Sequence, residues 1–186
     1  MLKRRLQILR LQLCYGGYRR AEYLKKIGLF HRQGAHCFFT PSNYGTEPYL
    51  LSFGDNVHVA SDVRFVTHDV AAKMFRYMEP DQLHTSRVGR IDVGSHVFIG
   101  AGATILYDVT IGDRVIVAAG ALVNRDLPSG GIYGGVPARR IGDFEDYAAK
   151  SREYSRQVPW RDAEPMQDRR RKQLEYLYPQ EEQQSC

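Results

Sequence analysis

The chain has 186 residues, 43% hydrophobic and 25% charged, which suits one domain with a sizeable core and excludes wholesale disorder. Its three cysteines have no CxxC spacing, so a disulfide framework and a cysteine zinc site are not expected, and a reducing cytoplasm is. The net charge of +5 divides unevenly, +8 over residues 1–36, −1 over 37–142 and −2 over 143–186, so the body is not built to coat nucleic acid.

The chain opens on a basic extension, residues 1–33. Leu2, Leu6, Leu9 and Leu13 share one helical face, flanked by Lys3, Arg4, Arg5 and Arg10. Arginine interrupts the apolar stretch and no small-residue cleavage site follows, which does not read as a cleavable leader. Such a helix packs on its own domain or makes peripheral contact with an anionic membrane surface, and both readings stay open. No run of 18 apolar residues is present, so no membrane-spanning helix is expected.

Residues 34–142 carry a repeat. From Val93 the sequence reads VGSHVF, IGAGAT, ILYDVT, IGDRVI, VAAGAL, VNRDLP, with no insertion. The first position is always Val or Ile, and the fifth is Val97, Ala103, Val109, Val115, Ala121 and Leu127. The same phase appears earlier at Phe53, Val59 and Phe65. A period of six fits neither an amphipathic helix nor a two-sided strand. It fits a short strand and a corner, three to a coil, stacked as a triangular parallel β-helix with first-position side chains pointing inward. Gly and Asn near the corners are expected to relieve positive-φ strain.

Counting on in sixes from Phe65 reaches Gly89 and then Ser95, and so misses Val93. Residues 69–90, DVAAKMFRYMEPDQLHTSRVGR, therefore form an inserted loop, and a long excursion from a regular scaffold is usually functional or disordered. His68 stands at its threshold. A histidine fixed at the rim of a loop suits a general base, because imidazole takes a proton at cellular pH. The other histidines are weaker candidates: His58 and His96 lie at outward hexad positions, His31 and His36 precede the repeat, and His84 lies inside the loop. None makes an HExxH pair, so no metal site is expected.

After the repeat, residues 143–186 read as a helical extension. FEDYAAKSREYSRQ (144–157) is expected to be a helix ending before Val158-Pro159. Trp160 is expected to anchor this extension to the prism. The charged segment DRRRKQLEYLYPQEEQQSC has balanced signs and reads as a solvated helix or tail.

The segments NYGTEPYLLSFGDNV (43–57), FVTHD (65–69), the hexads (93–128) and GGVPARRIG (134–142) resemble the hexapeptide-repeat acyltransferases. Galactoside, maltose and xenobiotic O-acetyltransferases are similar, and bacterial capsule and exopolysaccharide O-acetyltransferases more so. The resemblance implies an all-β core, a left-handed parallel β-helix, which is an exception to right-handed crossovers. It implies that acetyl-CoA is the co-substrate, with no metal required. It further implies that His68 removes the proton from an acceptor hydroxyl, which attacks the thioester directly. Asp69 would orient the ring or bind sugar, or merely cap the loop. Glu47 and Tyr44 would meet sugar hydroxyls, or merely shape the turn.

For the donor, the resemblance implies Ala101 and Ala119, one coil apart, beneath the pantetheine arm. Asn124, Arg125 and Arg139 would follow at the phosphate end. Phe98 stands where relatives carry Trp, so packing survives and the indole N–H is lost. Gly142 replaces a second basic residue, leaving Arg140 to take over its contact. The acceptor is expected to be a saccharide, nucleotide sugar or lipid-linked saccharide of surface-polysaccharide biosynthesis. If the leading helix rests on a membrane, the enzyme works at its inner, cytoplasmic face. A homotrimer with each site between two chains is implied. An N-acetyltransferase of an amino sugar or nucleotide sugar is the alternative. A zinc γ-carbonic-anhydrase-like enzyme and a non-catalytic hexapeptide scaffold are the remaining readings.

Overall fold

A computed structural model describes residues 16–164 and 166–179. The leucine face at residues 2–13 lies outside them. The chain divides into two compact units after Phe144.

The first unit is a three-sided parallel β-helix of the left-handed class. One face holds β1 (Arg32–Gln33), β3 (Leu51–Phe53), β6 (Ile91–Val93) and β9 (Val109–Ile111). The second holds β2 (Phe38–Phe39), β4 (Val57–Val59), β7 (Val97–Ile99), β10 (Val115–Val117), β12 (Gly131–Gly134) and β13 (Arg139–Asp143). The third holds β5 (Arg64–Val66), β8 (Thr104–Leu106) and β11 (Leu122–Val123). The coils begin at Arg32, inside the segment assigned to the leading extension, because Arg32 and Gln33 pair with Ser52 and Phe53.

Stacking register is regular where the hexads are. Val97 pairs with Val115, one coil of three hexads further on. Val57 pairs with Val97, a step of one coil plus the full length of the inserted loop, 69–90. Phe38 pairs with His58, so the first coil is two residues longer than the later ones. Every first- and fifth-position residue from Val93 to Leu127 is buried. The early coils are filled instead by aromatic rings: Phe30 lies 4.9 Å from both Tyr44 and Phe53 in edge-to-face contact, and Phe39 lies 5.0 Å from Phe53.

The corners meet the expectation at Asn56, Gly102 and Gly120 and extend it to other side chains. The fourth hexad position has positive φ at His36, Asn56, Asp62, His96, Gly102, Asp108, Arg114 and Gly120. Asn, Asp and His reach this region more easily than most side chains, so glycine is not required there. Glycine at the second position serves coil-to-coil approach instead. A Cβ on Gly100 would stand 2.5 Å from the Ala119 nitrogen of the next coil.

A side-chain ladder runs up the corner between the first and second faces. Asp55 Oδ1 accepts the Ala35 N–H at 2.7 Å, Ser95 Oγ the Asp55 N–H at 3.1 Å, Asp113 Oδ1 the Ser95 N–H at 2.6 Å, and Ser129 Oγ the Asp113 N–H at 2.9 Å. Alternating Asp with Ser keeps carboxylates two coils, about 10 Å, apart.

Both ends of the prism are covered. Helix α1 (Gly17–Lys26) packs on β2, and its Ala21 and Leu24 are fully buried with the core. At the other end β13 folds back antiparallel on β12 through the turn Gly135–Ala138. The inserted loop contains α2 (Ala71–Met78), whose Ala72 is its one buried residue.

In the second unit, α3 (Phe144–Gln157) stops just before Val158-Pro159, and α4 (Met166–Leu177) follows. Trp160 serves this unit's own core, clustering with Val158 and Ala163 and lying 5.2 Å from the Tyr176 ring. No helix among the described residues is long and apolar enough to cross a membrane.

Gly100→Ala should lower the thermal midpoint measurably, since forcing a methyl into a closed coil contact costs about 1–3 kcal/mol. Gly102→Ala, with open space around the added methyl but positive φ, should cost about 1 kcal/mol through backbone strain alone. Differential scanning calorimetry of the two variants checks both values.

Candidate active site

The corner between the third and first faces holds His68, the expected base. β5 ends at Val66, and Thr67 and His68 continue it into the inserted loop. The loop closes on itself at its base: Asp69 N–H donates to Arg87 O at 3.1 Å, Gly89 N–H donates to Thr67 O at 2.8 Å, and His68 bridges Val88 antiparallel. His68 is therefore held by a short two-stranded neck.

Glu47 reaches this neck from the first coil. It precedes the 3₁₀ turn Pro48–Leu50, where its carbonyl accepts the Leu50 N–H at 3.0 Å. Its Oε2 receives three donors: Thr67 Oγ1 at 2.7 Å, Thr46 Oγ1 at 2.7 Å and His68 Nδ1 at 2.8 Å. The hydroxyl of Thr67, then that of Thr46, hold the Glu47 carboxyl below the usual carboxylate range, and His68 adds to this. An ionised carboxylate only accepts, so the proton of the contact lies on Nδ1. The Nε2 lone pair is left to act as a base. His68 is 32% exposed and Glu47 21%, so the pair is open to a ligand.

The other expected acceptor residues have different surroundings. Tyr44, expected against sugar, is 3% exposed in the aromatic core, and its hydroxyl donates to Pro41 O at 3.0 Å. Burial pushes its phenol pKa up. Asp69 accepts the Ala71 N–H at 3.2 Å and the Tyr107 hydroxyl at 3.0 Å, which fastens the start of α2 to the third coil. Orienting the ring falls to Glu47. His84 stays within the loop, 3.0 Å from Glu79 Oε2 and tilted against the Phe75 ring at 5.5 Å. An open cleft of about 560 Å³ borders the free edge of β5, lined by Ser42, Asn43, Gly45, Asp62 and Arg64 among others. Neither Glu47 nor His68 lines it.

Of the expected donor residues, four fall at two corners, and Phe98 and Arg139 lie on the second face. Ala101 and Ala119 are exposed on the corner between the second and third faces, and Ala101 O accepts the Gly120 N–H at 2.8 Å. Phe98 is 44% exposed at the middle of β7 on the second face. Asn124 and Arg125 are exposed at the His68 corner, two coils further on. Arg139 is exposed at the start of β13 and donates to Ala138 O at 2.9 Å, while Arg140 pairs with Asp143. No group of three His, Cys, Asp or Glu side chains among the described residues is placed to hold a metal ion.

Sequence reasoning missed Thr46 and Thr67, and missed the contact of Glu47 with His68. Only the folded chain brings them together: Phe38 pairs with His58 across the first coil, and Glu47 meets Thr67 the same number of residues on.

A sequence model described as bacterial transferase hexapeptide (six repeats) matches residues 90–125. Protein CapG of Staphylococcus aureus is 37% identical over 132 residues, covering 68% of this chain and 73% of CapG. The chain belongs to the hexapeptide-repeat acyltransferases. Membership makes it an acetyltransferase that draws on acetyl-CoA. The galactoside O-acetyltransferase of Escherichia coli (strain K12) is 31% identical over 106 residues, 54% of this chain, and the chain spans about half of that relative, 47%. In fold, a hexapeptide-repeat-containing acetyltransferase from Vibrio cholerae O1 biovar eltor, complexed with acetyl coenzyme A, superposes with TM-score 0.55 at 23% identity, over 75% of this chain and 86% of that one.

A pH prediction follows from Glu47. Its folded pKa lies below the ordinary 4.5, so the stability it lends is full above that value and is lost as pH falls through the depressed one. Glu47→Gln should melt below wild type at neutral pH, with the gap closing as pH drops below about 4.5. Thermal melts across that range measure it.

Proposed function

We propose that this acetyltransferase moves the acetyl group of acetyl-CoA to a sugar hydroxyl in surface-polysaccharide biosynthesis, with His68 as general base. The observation that carries the reading is the Glu47–His68 contact at the base of the inserted loop. Nε2 takes the acceptor hydroxyl proton as that oxygen attacks the thioester carbonyl. The tetrahedral oxyanion then collapses, the C–S bond breaks, and the imidazolium returns its proton to the departing sulfur. Glu47 stabilises the imidazolium between the two transfers. The cleft along the β5 edge, of mixed polar and apolar lining, offers hydroxyl, amide and charged groups to a saccharide.

Similarity to a galactoside O-acetyltransferase supports the sugar acceptor and the O-acetyl product. The division of residues between corners supports a homotrimer. His68 and the Ala101–Ala119 pair stand on different corners of one triangular prism, so a neighbouring chain brings the donor corner to the base. His68→Ala should lower turnover about a hundredfold or more, read as thiol release from acetyl-CoA across saccharides, nucleotide sugars and amino sugars. Full activity in that variant sinks the mechanism, and preference for amino sugars moves the reading to N-acetylation.

Inter-chain sites make a second expectation. His68→Ala and Ala119→Trp should each be nearly inactive alone. Refolded together as an equal mixture they should regain up to about a quarter of wild-type activity, because some sites then combine an intact base with an intact donor corner. Sites contained within one chain regain none.

A further inference from the structure

We propose that Thr67 is a positioning residue for the His68 base: its buried hydroxyl fixes Glu47 Oε2 opposite Nδ1 and so selects the imidazole tautomer that leaves Nε2 free. The inference rests on the reading of His68 as base and deepens it.

Three observations carry the proposal. Thr67 is 2% exposed, so its hydroxyl is shielded from exchange with water. Its backbone is fixed from the opposite side, because its carbonyl takes the Gly89 N–H at 2.8 Å across the neck of the loop. Its hydroxyl donates to Glu47 Oε2 at 2.7 Å, the same oxygen that meets His68 Nδ1. A β-branched side chain on an extended backbone has few χ1 choices, so packing alone aims this donor.

A glutamate side chain at the edge of a site has several rotamers, and fixing one costs conformational entropy. The three donors on Oε2 are unequal in this respect. Thr46 is exposed and adjacent to Glu47 in sequence, so water competes for its hydrogen bond. His68 itself is the group to be oriented and cannot serve as its own reference. Among the described residues, Thr67 alone links the carboxylate to the buried scaffold. Its hydroxyl also helps keep the carboxyl ionised, and an ionised acceptor demands a proton on Nδ1. Without that hydroxyl the carboxylate is free to turn, and the tautomer with its proton on Nε2 becomes accessible. That tautomer has no lone pair facing an acceptor hydroxyl.

The test compares Thr67→Val, which keeps the shape, with Thr67→Ser, which keeps the hydroxyl. Thr67→Val should lower kcat on the order of tenfold with KM for acetyl-CoA unchanged, a loss of the size expected when the group orienting an imidazole is weakened. Thr67→Ser should return kcat to within about threefold of wild type. In a Glu47→Gln background, Thr67→Val should cost almost nothing further, because its effect passes through the carboxylate. The downfield proton resonance of a hydrogen-bonded His68 Nδ1–H should be present in wild type and Thr67→Ser and lost in Thr67→Val. A Thr67→Ser variant as impaired as Thr67→Val, or losses that add fully in the Glu47→Gln background, would overturn the proposal. If Thr67→Val does not fold, a Thr67→Ser enzyme with kcat as low as Glu47→Gln overturns it equally. A fully active His68→Ala enzyme would instead remove the underlying reading, whatever the Thr67 variants do.

Discussion

Coil-to-coil spacing is the constraint on which the rest of this protein depends. Backbone hydrogen bonding sets it at about 4.8 Å per coil, and the side chains divide around that value. Second-position glycines allow the approach, as at Gly100 beneath Ala119. Third-position Asp and Ser side chains at one corner accept the N–H groups of the coil below. First- and fifth-position aliphatic residues then meet their equivalents one coil away in a continuous core. A repeat held this tightly offers almost no freedom within its regular part.

The site arises where that regularity is broken twice. Two extra residues in the first coil swing Glu47 beneath Thr67, and the inserted loop turns the chain out directly after His68. Together they set a carboxylate and an imidazole 2.8 Å apart, with their backbones pinned by the 3₁₀ turn on one side and the hydrogen-bonded neck on the other. A rigid scaffold with a local exception suits a reaction in which one proton must be taken at one place.

Elements of the first unit finish the ends of the stack. An unfinished β-helix presents unpaired strands and open core, and α1 covers the first coil with Ala21 and Leu24 while β13 doubles back at the last. The aromatic filling of the early coils belongs to the same end. There Tyr44, which in sequence sits among polar turn residues, is drawn inward to pack against Phe30 and Phe65.

Much of this was legible in the hexads. Period six, its phase, the inward positions and the span of the inserted loop all follow from spacing alone, because in a stacked coil every residue repeats its environment one coil later. His68 was legible as the residue where the period stops. The roles of Glu47, Tyr44 and Asp69 were not, since each depends on which neighbour a non-repeating segment meets. Tyr44 turned to the core, Asp69 to Tyr107, and Glu47 to the histidine. By itself the sequence determined the prism and the position of the break; only tertiary structure decided which oxygen faces which nitrogen. The physical reason is that a repeat encodes contacts through register, whereas the loops that build the site make contacts no register specifies.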